Sequence, residues 1–260
     1  MDDGPSTAPP PPTGTARDRI ATVSGTTAVN PLRPGRPLGE DGDVATPPSE
    51  RTRVRRLPKR GAYDRATIDQ ILDEGLICHL GFVVDGEPRV IPTGYARDGD
   101  RLLLHGARRS MAMRALAAGG EVCATITLLD GLVLARSAFH HSMNYRSVVV
   151  LGPAVELTDP FDKAAALDRL VEHLVPGRTA DARPATSAEL DQTTVVALPL
   201  DEASAKVRTG GPVDDDEDLV LPVWAGVVPL ALGCRAPVPD ADHPPAATVP
   251  PYAAGYRRPT

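Results

Sequence analysis

Segment 102–116, LLLHGARRSMAMRAL, contains the residues with the clearest potential for chemistry. A predicted strand ends at His105, Gly106 permits a tight bend, and Ser110 occupies the N-cap position of the following helix. Three arginines accompany this turn: Arg108, Arg109 and Arg114. Free N–H groups at a helix N-terminus, a hydroxyl and nearby guanidinium groups can bind an anion such as a phosphate. The spacing also fits an ordinary capped helix with solvated arginines, so the pattern alone leaves both interpretations open.

Segment 137–152, SAFHHSMNYRSVVVLG, carries two adjacent histidines, His140 and His141, ahead of an apolar strand. Neighbouring residues on a strand point to opposite faces, so these two side chains cannot comfortably bind one metal ion. We therefore predict no metal site and expect ordinary core or loop histidines. One of the two can face a cavity while the other lies at the surface.

Segment 87–98, EPRVIPTGYARD, contains Pro92 within an apolar run. Proline has no N–H to donate, which predicts either the edge of a sheet or a β-bulge at this position. A bulge re-aims backbone groups and is common beside functional sites. The alternative is simply a strand at the edge of a barrel.

Two charged runs, 51–60 (RTRVRRLPKR) and 214–218 (DDDED), are predicted to be solvated segments. The acidic run lacks the alternating ligand spacing and the later glutamate of a calcium-binding loop, so we expect an exposed loop there. The chain has no Gly-x-Ser-x-Gly, P-loop or Gly-x-Gly-x-x-Gly motif. The common hydrolase, NTPase and Rossmann classes are thereby excluded.

Composition restricts the remaining classes. A net charge of −6 argues against a dedicated nucleic-acid binder, and the absence of an 18-residue apolar run argues against a membrane span. The acidic, proline-rich start, MDDGPSTAPPPP, is unlike a signal peptide. Cys78, Cys123 and Cys234 have neither disulfide-like nor zinc-like spacing, which indicates buried thiols in a reducing compartment. We expect a soluble cytoplasmic protein.

Proline placement predicts the domain organisation. Ten of the 28 prolines lie in residues 1–50 and seven in 232–260. Both segments are polar and lack apolar periodicity, so we expect a disordered N-terminal arm over 1–50 and a disordered tail over 232–260. The folded domain is predicted over 51–231.

Within that domain the pattern is mostly strand. Turn signals at 85–86, 98–100 and 130–131 separate apolar runs, and a last clear strand spans 193–200. Three helices are predicted over 67–74, with a threonine N-cap, over 110–118 and over 159–174, whose apolar positions include Phe161. At least six strands with tight turns favour a mainly β fold, a small antiparallel β-barrel with helices.

Four segments of the chain resemble a known family when they are taken in order: 53–64, 74–106, 137–157 and 206–230. They are similar to flavin-nucleotide-binding proteins of the pyridoxamine 5′-phosphate oxidase-like superfamily, in particular the nitroimidazole-resistance branch. LLLHG and NYRSVVVLG are the most specific matches. The resemblance covers roughly residues 53–230.

The resemblance implies a split β-barrel homodimer that holds FMN at the subunit interface. Carried over by position, His105, Gly106 and Ser110 lie along the flavin phosphate and ribityl chain. Arg89 opens the strand whose backbone runs beside the isoalloxazine ring, and the residues of that backbone are Val90, Ile91, Pro92 and Thr93. Three further residues approach the site across the dimer: Tyr145, Arg146 and Ser147.

The chain departs from the family pattern after the phosphate-binding serine, where Met111 replaces the basic residue that oxidases often carry. Arg108, Arg109 or Arg114 can substitute for it. The C-terminal arginine and histidine pattern that true pyridoxamine-phosphate oxidases use on their substrate is also absent, which argues against vitamin B6 oxidation.

The leading hypothesis is an FMN-dependent oxidoreductase acting on a small organic substrate, with nitro-compound reduction as one such reaction and no protein nucleophile. The alternative is a haem- or deazaflavin-binding protein with a sensing role, in which His105, His140 or His141 serves as an axial ligand. A third possibility is a structural dimer whose site has decayed.

Overall fold

The computed structural model describes residues 46–242 and 248–257, and the structural statements below refer to these residues. The strands are β1 (Gly61–Ala62), β2 (Ile77–Val84), β3 (Glu87–Gly94), β4 (Ala96–Asp98), β5 (Arg101–Ala107), β6 (Glu121–Leu134), β7 (Ser142–Pro153), β8 (Val155–Glu156), β9 (Thr193–Pro199), β10 (Ala203–Arg208) and β11 (Gly226–Pro229). The α-helices are α1 (Arg65–Glu74), α2 (Met111–Ala117), α3 (Pro160–Leu174), α4 (Ser187–Gln192) and α5 (Pro251–Ala254).

The strands form two antiparallel sheets. One has seven strands in the order β1-β10-β7-β6-β2-β3, with β11 added beside β6, and the other has the order β4-β5-β9-β8. No strand pair joins the two sheets edge to edge among the described residues. The predicted mainly β fold is therefore confirmed, and the open seam between the sheets is that of a split barrel.

The sheets pack face to face around the main core. On β5, Leu102 and Leu104 point into this core, whereas Leu103 points the opposite way and packs beneath α3 with Leu170. Strand β5 is thus buried on both faces, and Leu102, Leu103 and Leu104 are all fully buried. Burial on both faces explains why the sequence of β5 is a continuous apolar run rather than an alternation of apolar and polar residues.

Helix α1 begins at a different residue from the one predicted. The Asp64 carboxylate accepts a hydrogen bond from the Thr67 N–H at 2.8 Å, so Asp64 is the N-cap and no threonine has that role. The predicted end before Gly75 is confirmed. Asp and Thr both serve as N-caps, and the sequence DRAT offers each of them three residues apart.

The predicted turn at Asp130-Gly131 is wrong, because β6 runs continuously from Glu121 to Leu134. The pairing of β6 with β7 shifts between Leu129 and Gly131, which leaves Asp130 as the extra residue of a β-bulge. An Asp-Gly pair between apolar runs is a hairpin signal, but the same residue types also suit a bulge. By contrast, Asp85-Gly86 does form the predicted hairpin turn, with φ angles of 54° and 79°.

Sequence patterns missed three strands, which are β1, β10 and β11. Strand β10 follows β9 after a short turn, and β11 pairs with the second half of β6 beyond the bulge. The prediction for α3 is confirmed, with Asp159 as its N-cap, although Phe161 is exposed rather than part of the apolar face. Helix α4 was also not predicted.

The structure describes only a few residues of the predicted arm but most of the predicted tail. Residues 1–45, 243–247 and 258–260 are outside the described residues, so the division into arm, domain and tail stays a prediction. Within the tail region, Tyr252 donates a hydrogen bond to Asp181 at 2.7 Å and Tyr256 donates one to the Leu174 carbonyl at 2.8 Å. In the described part of the chain, no helix has the length and apolar character needed to cross a membrane.

Candidate functional site

The segment that joins β5 to α2 agrees with the sequence prediction at the Ser110 cap but not at Gly106. The predicted bend at Gly106 is wrong, because β5 continues to Ala107 and Gly106 still pairs with Thr194 of β9. Ser110 is the N-cap of α2, and its hydroxyl accepts a hydrogen bond from the Met113 N–H at 3.1 Å. Gly106 lies against the same helix, since a Cβ at this position would come within 2.9 Å of the Met113 Cγ. Glycine is therefore required here by the close packing of β5 on α2.

His105 points to the opposite face of β5 from Gly106. It pairs across the sheet with Val195, on the side that packs beneath α3. Its Nδ1 is buried and has no hydrogen-bond partner, and burial lowers the pKa of the ring. A neutral imidazole with an unsatisfied buried nitrogen is an unusual feature that a bound group can satisfy.

Three arginines border a groove of about 710 Å³ beside this turn: Arg108, Arg109 and Arg114. All three side chains are exposed, and none forms an ion pair with a carboxylate among the described residues. Asp191 and Gln192 line the other side, and the Gln192 carbonyl accepts a hydrogen bond from the Arg108 N–H at 2.8 Å. The groove therefore combines several free cationic donors with one carboxylate and one amide, a set suited to a phosphorylated ligand.

Strand β3 forms a free edge of the seven-stranded sheet, as Pro92 predicted, and its pairing with β2 contains no bulge. The two-residue turn makes Val84 and Glu87 the first hydrogen-bonded pair of the hairpin. Every second residue of β3, beginning with Pro88, therefore points its backbone N–H and C=O groups away from β2 and toward the open edge. Pro88 and Pro92 share this outward orientation and have no N–H. Between them, only Val90 presents an N–H to the open edge.

The side chains of β3 divide between the two faces of the sheet. Val90 and Pro92 pair with outward-facing residues of β2, and Val90 is 68% exposed. Three others pair with core residues of β2 and so occupy the inner face: Arg89, Ile91 and Thr93. Residues 87–92 are nevertheless exposed throughout, so this strand is covered on neither face.

Tyr145, Arg146 and Ser147 lie on β7 and also alternate. Arg146 shares the inner face with the core residue Val148, while Tyr145 and Ser147 lie on the outer face. The Ser147 hydroxyl donates a hydrogen bond to the Lys206 carbonyl at 3.3 Å.

The guanidinium of Arg146 is bound by two carboxylates. Its Nη2 lies 2.9 Å from Glu74 Oε1 and 2.8 Å from Asp130 Oδ1, and its Nε lies 3.0 Å from Asp130 Oδ2. These hydrogen bonds to Asp130 and Glu74 raise the pKa of Arg146 despite its burial. Sequence patterns missed both partners, since Glu74 is 72 residues away and Asp130 was interpreted as a turn.

The histidine pair does not lie on a strand, so the strand argument against a shared metal does not apply. His140 ends a single 3-10 turn, Ala138–His140, and its Nε2 lies 3.1 Å from Asp215 Oδ2. His141 follows this turn, and its Nδ1 lies 2.8 Å from the Ser137 carbonyl. A carbonyl oxygen can only accept, so Nδ1 of His141 carries the proton and Nε2 of the neutral ring keeps a lone pair.

In the acidic run 214–218, residues 215–217 are exposed and Asp218, at the end of a 3-10 turn, is half-buried. The Asp214 side chain is only 1% exposed and accepts hydrogen bonds from the Arg136 N–H at 2.8 Å and from Arg136 Nη1 at 2.7 Å. The expectation of a fully solvated run is therefore wrong for Asp214, which pairs with an arginine 78 residues earlier.

The predicted site residues thus fall into three places. The end of β5 holds His105 and Gly106, and the turn that follows holds Arg109 and Ser110. The uncovered strand β3 holds Arg89 to Thr93, and β7 holds Tyr145 to Ser147. Within one chain, β2 and β6 separate β3 from β7 on the outer face. Asp191 and Gln192 are groove residues that no sequence motif indicated.

This arrangement defines a class of protein: a split β-barrel with a cationic groove at a strand-to-helix turn and an uncovered sheet edge nearby. The profile described as pyridoxamine 5′-phosphate oxidase matches residues 64–207, which is more than half of the chain. The chain belongs to the pyridoxamine 5′-phosphate oxidase family. A search of curated protein sequences found no significant match.

Solved structures give more specific similarities. The flavocytochrome Anf3 from Azotobacter vinelandii is 40% identical, with 82% of this chain and 99% of that chain covered and a TM-score of 0.78. The FAD and haem binding protein from Mycobacterium smegmatis is 37% identical, with 75% of this chain and 96% of that chain covered and a TM-score of 0.73. A putative 5-nitroimidazole antibiotic resistance protein from Bacteroides thetaiotaomicron is 25% identical, with 56% and 86% covered and a TM-score of 0.48.

Proposed function

We propose that the protein is a flavin-dependent oxidoreductase that acts on a small organic substrate, with reduction of a nitro compound as one candidate reaction. The observation that carries this proposal is the groove at the β5–α2 turn, whose three arginines have no carboxylate partner in the described chain. Two similar solved proteins, a flavocytochrome and an FAD and haem binding protein, support a flavin as the ligand.

The residues present fit a flavin nucleotide. Arg108, Arg109 and Arg114 supply cationic donors for phosphate, and the Val90 N–H on the open edge of β3 is available to a polar atom of the flavin ring. A bound flavin supplies the electron-transfer chemistry, so the protein contributes binding, orientation and exclusion of water. No side chain is assigned as a nucleophile or general base.

The nucleotide is proposed to be FMN, with FAD as the competing possibility. FMN follows from the family resemblance, whereas one of the two similar proteins is described as binding FAD. Asp191 and Gln192 extend the groove beyond the arginines and offer donors and acceptors that an adenosine group can use. Mass spectrometry of the cofactor released from purified protein distinguishes FMN, FAD and deazaflavin.

Flavin binding is tested by titrating dialysed protein with FMN and with FAD while recording absorbance and thermal unfolding. A ligand at about 100 times its dissociation constant stabilises the folded state by about 2.7 kcal/mol. Arg109→Gln and Arg114→Gln are expected to weaken binding, whereas Arg183→Gln, on an exposed arginine paired with Glu189, is the matched control. Protein that carries no flavin and responds to neither nucleotide contradicts the proposal.

We also propose that the protein is a homodimer formed through the outer face of β2 and β3. Three apolar side chains on this face are more than half exposed: Ile77 (56%), Val83 (59%) and Val90 (68%). Exposed apolar side chains that share one face of a sheet can mark an interface. A cytoplasmic location is proposed as well, and the three free cysteines support it.

A second candidate function, haem binding, is favoured by the two similar proteins that combine a flavin with haem. Of the three candidate axial ligands, His141 has the arrangement typical of a metal-bound imidazole, with Nδ1–H donated to a carbonyl and Nε2 free. His105 instead offers its unpartnered Nδ1. A Soret band after haem addition that is lost in His141→Ala, His140→Ala or His105→Ala supports this function. A spectrum that is unchanged in all three variants contradicts it.

A further inference from the structure

Outside the proposed flavin site, the fold brings together three metal-ligating side chains from distant parts of the sequence. His140 lies in the connection between β6 and β7, and Asp215 and Asp218 lie in the loop that precedes β11. One ligand atom from each residue lies within 4.8 Å of the other two. Neither segment has a metal-binding motif by itself, so only the folded chain creates this cluster.

The two segments are held in place by a contact that does not involve the cluster. Arg136, just before the His140 turn, binds the buried carboxylate of Asp214 through both its backbone N–H and its guanidinium. This pair fixes the neighbouring Asp215 close to His140 before any ligand binds. Such preorganisation reduces the entropy lost on binding a cation.

The local charge favours a cation. Asp215 interacts with His140, and no lysine or arginine in the described chain forms an ion pair with any of the four consecutive acidic residues Asp215, Asp216, Glu217 and Asp218. Two negative charges, those of Asp215 and Asp218, therefore lie beside the His140 imidazole without a lysine or arginine partner in the described chain. A divalent ion relieves this repulsion directly.

The donor set and its spacing select the kind of ion. One nitrogen and two carboxylate oxygens suit zinc and its first-row neighbours, whereas calcium and magnesium prefer sites made of oxygen alone. Metal–ligand bonds of about 2.0–2.2 Å put ligand atoms roughly 3–4 Å apart, which is close to the 3.1 Å between His140 Nε2 and Asp215 Oδ2. The side chain of His140 is 24% exposed and that of Asp215 is 76% exposed, so an ion can enter and water can complete its coordination.

We propose that His140, Asp215 and Asp218 form a binding site for a divalent first-row transition-metal ion, with Zn²⁺ as the expected occupant. The ion links the β6–β7 connection to the loop before β11. It therefore acts as a structural cross-link between two segments that are about 75 residues apart in sequence.

The test is calorimetric titration of the chelator-treated full chain with ZnCl₂, alongside thermal unfolding with and without the metal. Wild-type protein is expected to bind one equivalent at this site and to unfold at a higher temperature with zinc. His140→Gln and Asp218→Asn are each expected to weaken zinc binding by at least about 10-fold.

Asp216→Asn is the matched control, because it removes the same charge from the same turn but lies outside the cluster. It is expected to keep wild-type zinc affinity. The proposal is overturned if wild-type protein does not bind zinc, or if both cluster variants bind it as well as wild type does. Magnesium chloride serves as the second control and is expected to give no saturable binding at concentrations at which zinc saturates.

Discussion

His173 is a buried side chain whose charge state links folding to pH. Its Nε2–H donates to the Gly75 carbonyl at 2.7 Å, and its ring lies against Tyr95. Burial lowers the pKa of His173, although the Gly75 carbonyl and Asp73 act in the opposite direction. Arg169 and Arg97 are the other charged groups that act on it, and both lower the pKa.

The sign of the pH effect follows from this lowered pKa. An unfolded chain binds a proton at histidine below about pH 6.5, whereas the folded chain resists protonation of His173 until the pH is lower. The stability that the neutral, buried His173 contributes is therefore fully present above about pH 6.5, the pKa in the unfolded chain. It is lost as the pH falls through the lower pKa of the folded chain. Thermal unfolding between pH 7 and pH 5 is expected to show a smaller loss for His173→Gln than for wild type. Equal losses of stability in the two proteins would show that His173 does not contribute. His105, whose pKa is also lowered, is expected to account for part of the pH dependence that remains in His173→Gln.

Arg146 should contribute more to stability than the exposed arginines do. Its side chain and those of Glu74 and Asp130 are each no more than 25% exposed, so its removal takes away the cation that these two partly buried carboxylates share. We expect Arg146→Ala to lower the free energy of unfolding by about 2–4 kcal/mol. Arg183→Ala, which breaks the exposed pair with Glu189, is expected to cost about 0–1 kcal/mol.

Urea unfolding of both variants checks this prediction, with the midpoint and the slope compared with those of wild type. A loss in Arg146→Ala no larger than in Arg183→Ala would contradict it. The family resemblance implied that Arg146 lies near the cofactor, and that role stays a prediction. Its two carboxylate partners could not be predicted, because they become neighbours only when α1 packs on the sheet and β6 forms its bulge.

Helix α1 ends where the chain must pass close to the core. A Cβ at Gly75 would lie 2.3 Å from Tyr95 Oη and 2.6 Å from Ile126 Cγ2, and both neighbours are fully buried. Gly75→Ala is therefore expected to destabilise the protein by about 3 kcal/mol, at the upper end of overpacking costs.

Gly81→Ala, on β2, is the control substitution. A Cβ at Gly81 would have its nearest neighbour 3.5 Å away, which is an ordinary contact. We expect a change below about 1 kcal/mol at Gly81 in the same urea experiment. Similar losses at the two positions would mean that backbone flexibility, rather than the space beside Tyr95, sets the cost at Gly75.

The sequence predicted those elements whose structure is set by neighbouring residues and missed those set by residues far away in the chain. The hairpin at Asp85-Gly86, the Ser110 cap and the edge position of Pro92 depend on neighbouring residues, and each is confirmed. The bulge at Asp130 was mistaken for a turn because local residue types suit both, and pairing with β7 decides between them. The groove residues Asp191 and Gln192 come from α4, which reaches the β5–α2 turn only in the folded chain.

At the scale of the whole molecule, the uncovered face of β2 and β3 connects assembly to cofactor binding. Both faces of β3 are exposed in a single chain, although the strand carries Val90 and Ile91. A second copy packed on the outer face would bury Val83 and Val90, and the family resemblance implies that residues of its β7 approach the flavin site across the dimer. In the proposed dimer, therefore, flavin binding and dimerisation depend on each other.

Val83→Glu tests this dependence, because Val83 is 59% exposed on the outer face and does not line the arginine groove. A charge buried in the proposed interface is expected to shift the protein from dimer to monomer in size-exclusion chromatography with light scattering. Flavin affinity is expected to fall at least about 10-fold at protein concentrations where the variant is monomeric, and to recover as concentration rises. Val155→Glu, on an equally exposed residue of the other sheet, should change neither property. If wild-type protein is monomeric and binds flavin, or if Val83→Glu stays dimeric with full affinity, the outer face of β2 and β3 is not the interface.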